Sequence, residues 1–91
     1  MTIKKILNDF AKKYDLDLNS GGGFVPKSKT KDYEYGQGSE GILLHDGGDL
    51  APFVNLDYCE YKLFDLFNDY LNSKGYYHEP CTCWYTAFYK L

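Results

Sequence analysis

Residues 32–49 read DYEYGQGSEGILLHDGGD: two runs rich in Tyr, Ile and Leu, set apart by a glycine-rich turn. Aromatic and branched side chains suit a pleated strand, and glycine supplies the backbone freedom that a reversal needs. The stretch predicts a β-hairpin with DYEY and GILLH as its strands. That reading decides the fold, because the segments on either side carry the period of helices. Upstream, Thr2 can cap a helix in which Ile3, Ile6, Leu7, Phe10, Ala11 and Tyr14 recur on one side and Lys4, Lys5, Asp9, Lys12 and Lys13 on the other. Downstream, a second helix is predicted from Asn55 or Asp57 to Lys74, with Gly75 as its left-handed cap. Its apolar arc holds Leu56, Cys59, Leu63, Leu66, Phe67, Tyr70 and Leu71, with Phe64 at the margin. YYHE and TCWYTAFYKL then form a second extended pair, broken by Pro80. The order helix, hairpin, helix, hairpin predicts a small single-domain α+β fold, with two helices packed on an antiparallel sheet of about four strands. Residues 1–91 form that domain, and a flexible Gly/Lys-rich loop is expected at about 19–31.

Composition narrows the partners. The 91 residues include ten Tyr, six Phe, one Trp and ten Lys but no Arg. Arginine is the planar fork that reads guanine edges and clamps phosphates, so its absence argues against sequence-specific nucleic-acid binding. Residues 1–31 hold seven Lys and three Asp, while residues 32–80 hold ten acidic residues and two Lys, so the net charge of −3 conceals a basic end and an acidic middle. A basic surface is the natural electrostatic partner of that middle. No apolar run reaches the roughly 20 residues of a spanning helix. The expectation is a cytoplasmic protein without a membrane partner.

Four stretches carry candidate chemistry. HEPCTCWY, residues 78–85, clusters a histidine, a glutamate and two thiols. A Cys-x-Cys spacing lacks the paired knuckles of structural zinc and the Cys-x-x-Cys of redox catalysis. A strand that turns Cys81 and Cys83 toward the core beside Tyr85, Ala87 and Tyr89 explains it as well. HDGGD, residues 45–49, reads as a turn after a strand, though His45, Asp46 and Asp49, or His78 and Glu79, would serve a metal-dependent enzyme. Gly21, Gly22 and Gly23, followed by Lys27, Lys29 and Lys31, could close on a phosphate without forming a P-loop, or be a mobile linker. The outward arc of the second helix shows Asp57, Tyr58, Tyr61, Asp65 and Asp69, and the hairpin adds Asp32, Tyr33, Glu34 and Tyr35. Tyrosine gives a large, stiff contact and carboxylates steer toward basic partners, so this arc is either an interface or a solvated face.

In size and in its arginine-free, tyrosine- and aspartate-rich composition, the chain resembles the small orphan proteins of bacteriophages and mobile elements, anti-CRISPR proteins and other anti-defence inhibitors among them. The resemblance implies a non-catalytic inhibitor of a bacterial defence system that works by binding, with no cofactor and no bound metal. Its partner would be a host defence protein with a basic surface, met through the nine acidic and tyrosine residues just named. Two alternatives stand beside this one: an oligomeric sponge that sequesters a nucleotide signal at Gly21–Gly23 and the three lysines, and a small metal-dependent enzyme. Self-association into a homo-oligomer would also use aromatic surface.

Overall fold

The computed structural model describes residues 2–91 as two layers of helix and sheet with a third, irregular layer on the far side. Helix α1 spans Ile3–Lys13. Thr2 Oγ1 accepts from the Lys5 amide at 3.3 Å, which satisfies one of the donors a helix start leaves open. Asp15 then turns left-handed with φ 55°, and the Leu16 amide reaches back to the Ala11 carbonyl at 2.7 Å, closing the C-terminus as a Schellman motif. The predicted apolar stripe Ile3, Ile6, Leu7, Phe10 and Ala11 is buried.

Four strands follow: β1 (Gly22–Pro26), β2 (Gly41–His45), β3 (Tyr76–Pro80) and β4 (Tyr85–Lys90). They form one sheet in the order β1-β2-β4-β3, with every neighbouring pair antiparallel. The α+β class and the sheet of four strands are as predicted. Both edge strands end in proline, which offers no amide to a further strand.

The first hairpin has a different partner from the one predicted. GILLH pairs with GGFVP of β1, Phe24 lying opposite Leu43, whereas DYEY leaves the 3₁₀ turn Lys27–Asp32 as a bend. Both edges of β2 are taken, by β1 and by β4, so no ladder remains for DYEY. The expected loop at about 19–31 therefore supplies an edge strand and a 3₁₀ turn. Gly22 has φ +128°, and a Cβ there would lie 2.5 Å from Leu44 Cβ. Only glycine brings the backbone this close to β2 in that conformation, and propensity, which ranks glycine low in strands, gives no hint of it.

The second helix is also shorter than predicted. Helix α2 covers Ala51–Val54, a 3₁₀ turn covers Leu56–Tyr58, and α3 begins only at Tyr61 and runs to Ser73. Asn55 causes the break: its Oδ1 accepts from the Asp57 amide at 2.9 Å and its Nδ2 donates to the Cys83 carbonyl at 3.3 Å. Such a side chain competes with helical hydrogen bonding and favours a turn. Cys59, at φ 58° and ψ 22°, finishes the turn left-handed. The helical phase is thereby lost, and Leu56 and Cys59, expected on the apolar arc, are exposed.

The main core lies between the sheet and the helices. Phe10 sits at its centre, with ring contacts to Tyr14, Phe53, Phe67 and Tyr70 at centroid separations of 4.8, 5.4, 5.0 and 5.0 Å. Leu43 and Phe88 close it from the sheet. On the opposite sheet face Val25, Ile42, Tyr85 and Ala87 form a second cluster, covered by the irregular segment at 33–36. Tyr33 meets Tyr85 edge-on at 5.3 Å, the Tyr35 amide donates to Tyr85 Oη at 3.1 Å, and Gly36 lies flat where a Cβ would come 2.9 Å from Ala87 Cβ. HEPCTCWY divides accordingly. His78–Pro80 end β3, and Cys81–Trp84 form a tight turn in which the Cys81 and Thr82 amides both donate to the Tyr85 carbonyl, at 3.1 and 3.2 Å. Cys81 is half-buried beside Tyr85 and Ala87, but Cys83, expected on the same core face, is exposed because the chain reverses there.

Candidate interaction surface

The turn and helix start at residues 56–69 concentrate what a binding surface uses. Leu56 and Tyr58 are each 45% exposed and Tyr61 is 59% exposed, a high degree for three large side chains in one short segment. Tyr61, Asp65 and Asp69 recur every four residues on α3, so they form one stripe roughly 12 Å long at 1.5 Å per residue. Asp57, Tyr58, Asp65 and Asp69 are all exposed. Among the described residues no lysine stands within ion-pair distance of Asp57, Asp65 or Asp69, whereas Lys5 and Asp9 on α1 are paired at 2.6 Å. The neighbouring Cys59 side chain raises the Tyr61 phenol above its ordinary value.

The bond from Asn55 to the Cys83 carbonyl ties the Cys81–Trp84 turn to the base of this segment. Trp84 is 42% exposed, with its ring edge-on to Tyr85 at 4.6 Å. Trp84 is absent from the surface patches expected from the sequence, where its one signal is a lone tryptophan next to a Pro-Cys-Thr-Cys turn.

The second predicted patch is separate. Asp32, Glu34 and Tyr35 are exposed and Tyr33 is half-buried, but they belong to the segment that covers the far face of the sheet, away from the helices. The nucleotide residues do not converge either. Gly21–Gly23 lead into β1 and Lys27, Lys29 and Lys31 follow its other end, so the strand, about 13 Å from Gly22 to Pro26 at 3.3 Å per residue, stands between them. Lys27 is paired with Glu40 at 2.8 Å. Lys29 borders a shallow cavity of about 440 Å³ with Phe24, Val25, Pro26, Asp32 and Tyr33, where the Asp32 carboxylate opposes an anion.

The residues suggested for metal chemistry are put to other uses. Asp49 accepts from the Asp17 amide at 2.8 Å while its own amide donates to Ser20 Oγ at 2.7 Å, clipping two turns together. His45, read both as the end of the GILLH strand and as the start of the HDGGD turn, ends β2 with 1% exposure, and its Nε2 bonds Thr86 Oγ1 at 3.1 Å. Asp46 stays in solvent. His78 is 7% exposed among aromatic rings, with Phe64 at 4.9 Å and Phe67 at 5.2 Å, and neither ring nitrogen has a hydrogen-bond partner among the described residues. Burial, with a smaller contribution from His45, holds the His78 imidazole down to about 4; burial likewise lowers His45. Both rings are therefore neutral at neutral pH. Among the described residues no three His, Cys, Asp or Glu side chains gather as a metal site, and no helix is long and apolar enough to cross a membrane.

Nothing matches the chain in comparisons with protein-family models, curated proteins and solved structures.

Proposed function

We propose that this chain is a non-catalytic binding protein, an inhibitor of the anti-defence type that its size and composition resemble, and that residues 56–69 meet a basic surface on a host protein. The observation that carries this reading is the joint exposure of Leu56, Tyr58 and Tyr61 beside the unpaired carboxylates Asp57, Asp65 and Asp69. Exposed tyrosines supply the desolvated anchor area of an interface, and uncompensated carboxylates supply its long-range steering. A face selected only for solubility would mix both signs of charge and seldom expose three large side chains together. The nucleotide-sponge alternative has weaker support, because its glycines and lysines lie at opposite ends of β1.

A photo-crosslinking residue at Tyr58, exposed to bacterial lysate, identifies the partner by mass spectrometry. Affinity for that partner is then measured for the wild type and for the Asp57→Lys, Asp65→Lys, Asp69→Lys triple variant. The variant should bind roughly 30- to 150-fold more weakly, at two to three times the ~1 kcal/mol of a single exposed charge, while its melting temperature stays near that of the wild type. Unchanged affinity overturns the proposal.

A further inference from the structure

A cleft on the far face of the sheet is built differently from the acidic stripe. The β3–β4 register puts Glu79 opposite Ala87 and Tyr77 opposite Tyr89, all on the face that points away from the helices. Tyr77 and Tyr89 stack at 5.3 Å with their planes 22° apart, which fixes the Tyr89 ring. Gly36 lies directly over Ala87, so Tyr35 is delivered to the same site, its backbone held by the Tyr85 hydroxyl. The result is a cleft of about 440 Å³ lined by Tyr35, Gly36, Glu79, Pro80, Cys81 and Tyr89. Among the described residues, two aromatic walls, a proline and one carboxylate border it, and no lysine does.

We infer that this cleft receives a single organic cation, the ammonium or guanidinium end of a lysine, methyl-lysine or arginine side chain of a partner protein. A cation within about 6 Å of a tyrosine face is attracted by the ring quadrupole, and aromatic cages closed by a carboxylate hold ammonium groups in this way. An anion finds only the carboxylate, and an apolar side chain would gain the rings but leave Glu79 without a counterion. Burial, followed by the nearby Cys81 and Glu79, raises the Tyr89 phenol, so the ring wall stays neutral. For the source of the cation the inference rests on the proposed binding of a basic protein, but it uses a site on the other side of the sheet.

The test is a ¹H–¹⁵N titration of the full chain with four probes: N-acetyl-lysine amide, its trimethylated form, N-acetyl-arginine amide and the neutral tert-butyl isostere of trimethyl-lysine. Saturable shifts at the amides of Tyr35, Gly36, Glu79 and Tyr89 are expected with at least one cation, and its identity names the side chain. Tyr35→Leu and Glu79→Gln, both at exposed positions, should each reduce that affinity about three- to tenfold without moving the melting temperature. No saturable shift at these residues, or equal binding of the neutral isostere, overturns the inference. The triple variant at Asp57, Asp65 and Asp69 should titrate like the wild type. If the cleft fails while that variant still loses its partner, binding through the acidic stripe survives without a cation pocket; the converse result leaves the cleft standing alone.

Discussion

Lowering the pH from 7.5 to 5 should cost the fold about 2 kcal/mol through His78 alone. In the folded protein its imidazole lies among Phe64, Phe67 and Phe88, with both nitrogens unpartnered, and has a pKa of about 4 against an ordinary 6.5. Above pH 6.5 neither state binds the proton and stability is level. Between 6.5 and 4 the unfolded chain takes up the proton that the folded protein refuses, so stability falls with falling pH and levels off near 4. His45 shifts in the same direction and adds to the slope, whereas Glu40, lowered by its hydrogen bond to Lys27, contributes only once the pH falls through the ordinary carboxylate value. Urea unfolding followed by circular dichroism at pH 7.5, 6 and 5 measures the effect, and the midpoint should fall by roughly 1–2 M over this range. His78→Leu removes two buried polar atoms that have no partner, so it should equal or exceed the wild type at pH 7.5 and lose at least half of the pH dependence. A His78→Leu protein with the full wild-type slope would refute the assignment of this titration to His78.

Two backbone positions offer sharper tests of the fold. A Cβ at Gly48 would lie 2.1 Å from the Ser20 carbonyl oxygen, whereas nothing stands within 4 Å of one at Gly47, at φ +65°. Gly48→Ala should therefore destabilise by roughly 2 kcal/mol or more, and Gly47→Asn, suited to a left-handed residue, should cost less than about 1 kcal/mol by thermal or urea melting. At Cys59, which is left-handed in the break between α2 and α3, Cys59→Gly should be neutral or stabilise by up to about 1 kcal/mol. In a continuous helix from Asn55 to Lys74 the same change would cost about 0.5–1 kcal/mol, so the sign of the effect separates the two geometries.

Much of this architecture was legible because it depends on local period. The 3.6-residue stripe of α1, its Thr2 cap, the Gly75 end of α3 and the run GILLH are each properties of a few neighbouring residues, and they suffice for an α+β class with an antiparallel sheet. The acidic and tyrosine-rich character of residues 57–69 was equally plain from composition. What the sequence could not determine is which segments become neighbours. GGFVP won the edge of β2 over the more strand-like DYEY through a glycine approach that propensity scores as unfavourable. Asn55 broke an apparent helix because the Cys83 carbonyl, twenty-eight residues away, was there to hold its side chain. That break turned Leu56 outward and made residues 56–69 a surface. The Tyr35–Glu79–Tyr89 cleft exists only because Gly36 fits flat against Ala87, and the low pKa of His78 only because α3 and β4 surround it with rings. Period and capping act over a few residues, but exposure, pKa and pocket shape are set by contacts between distant ones, and those are decided when the core closes.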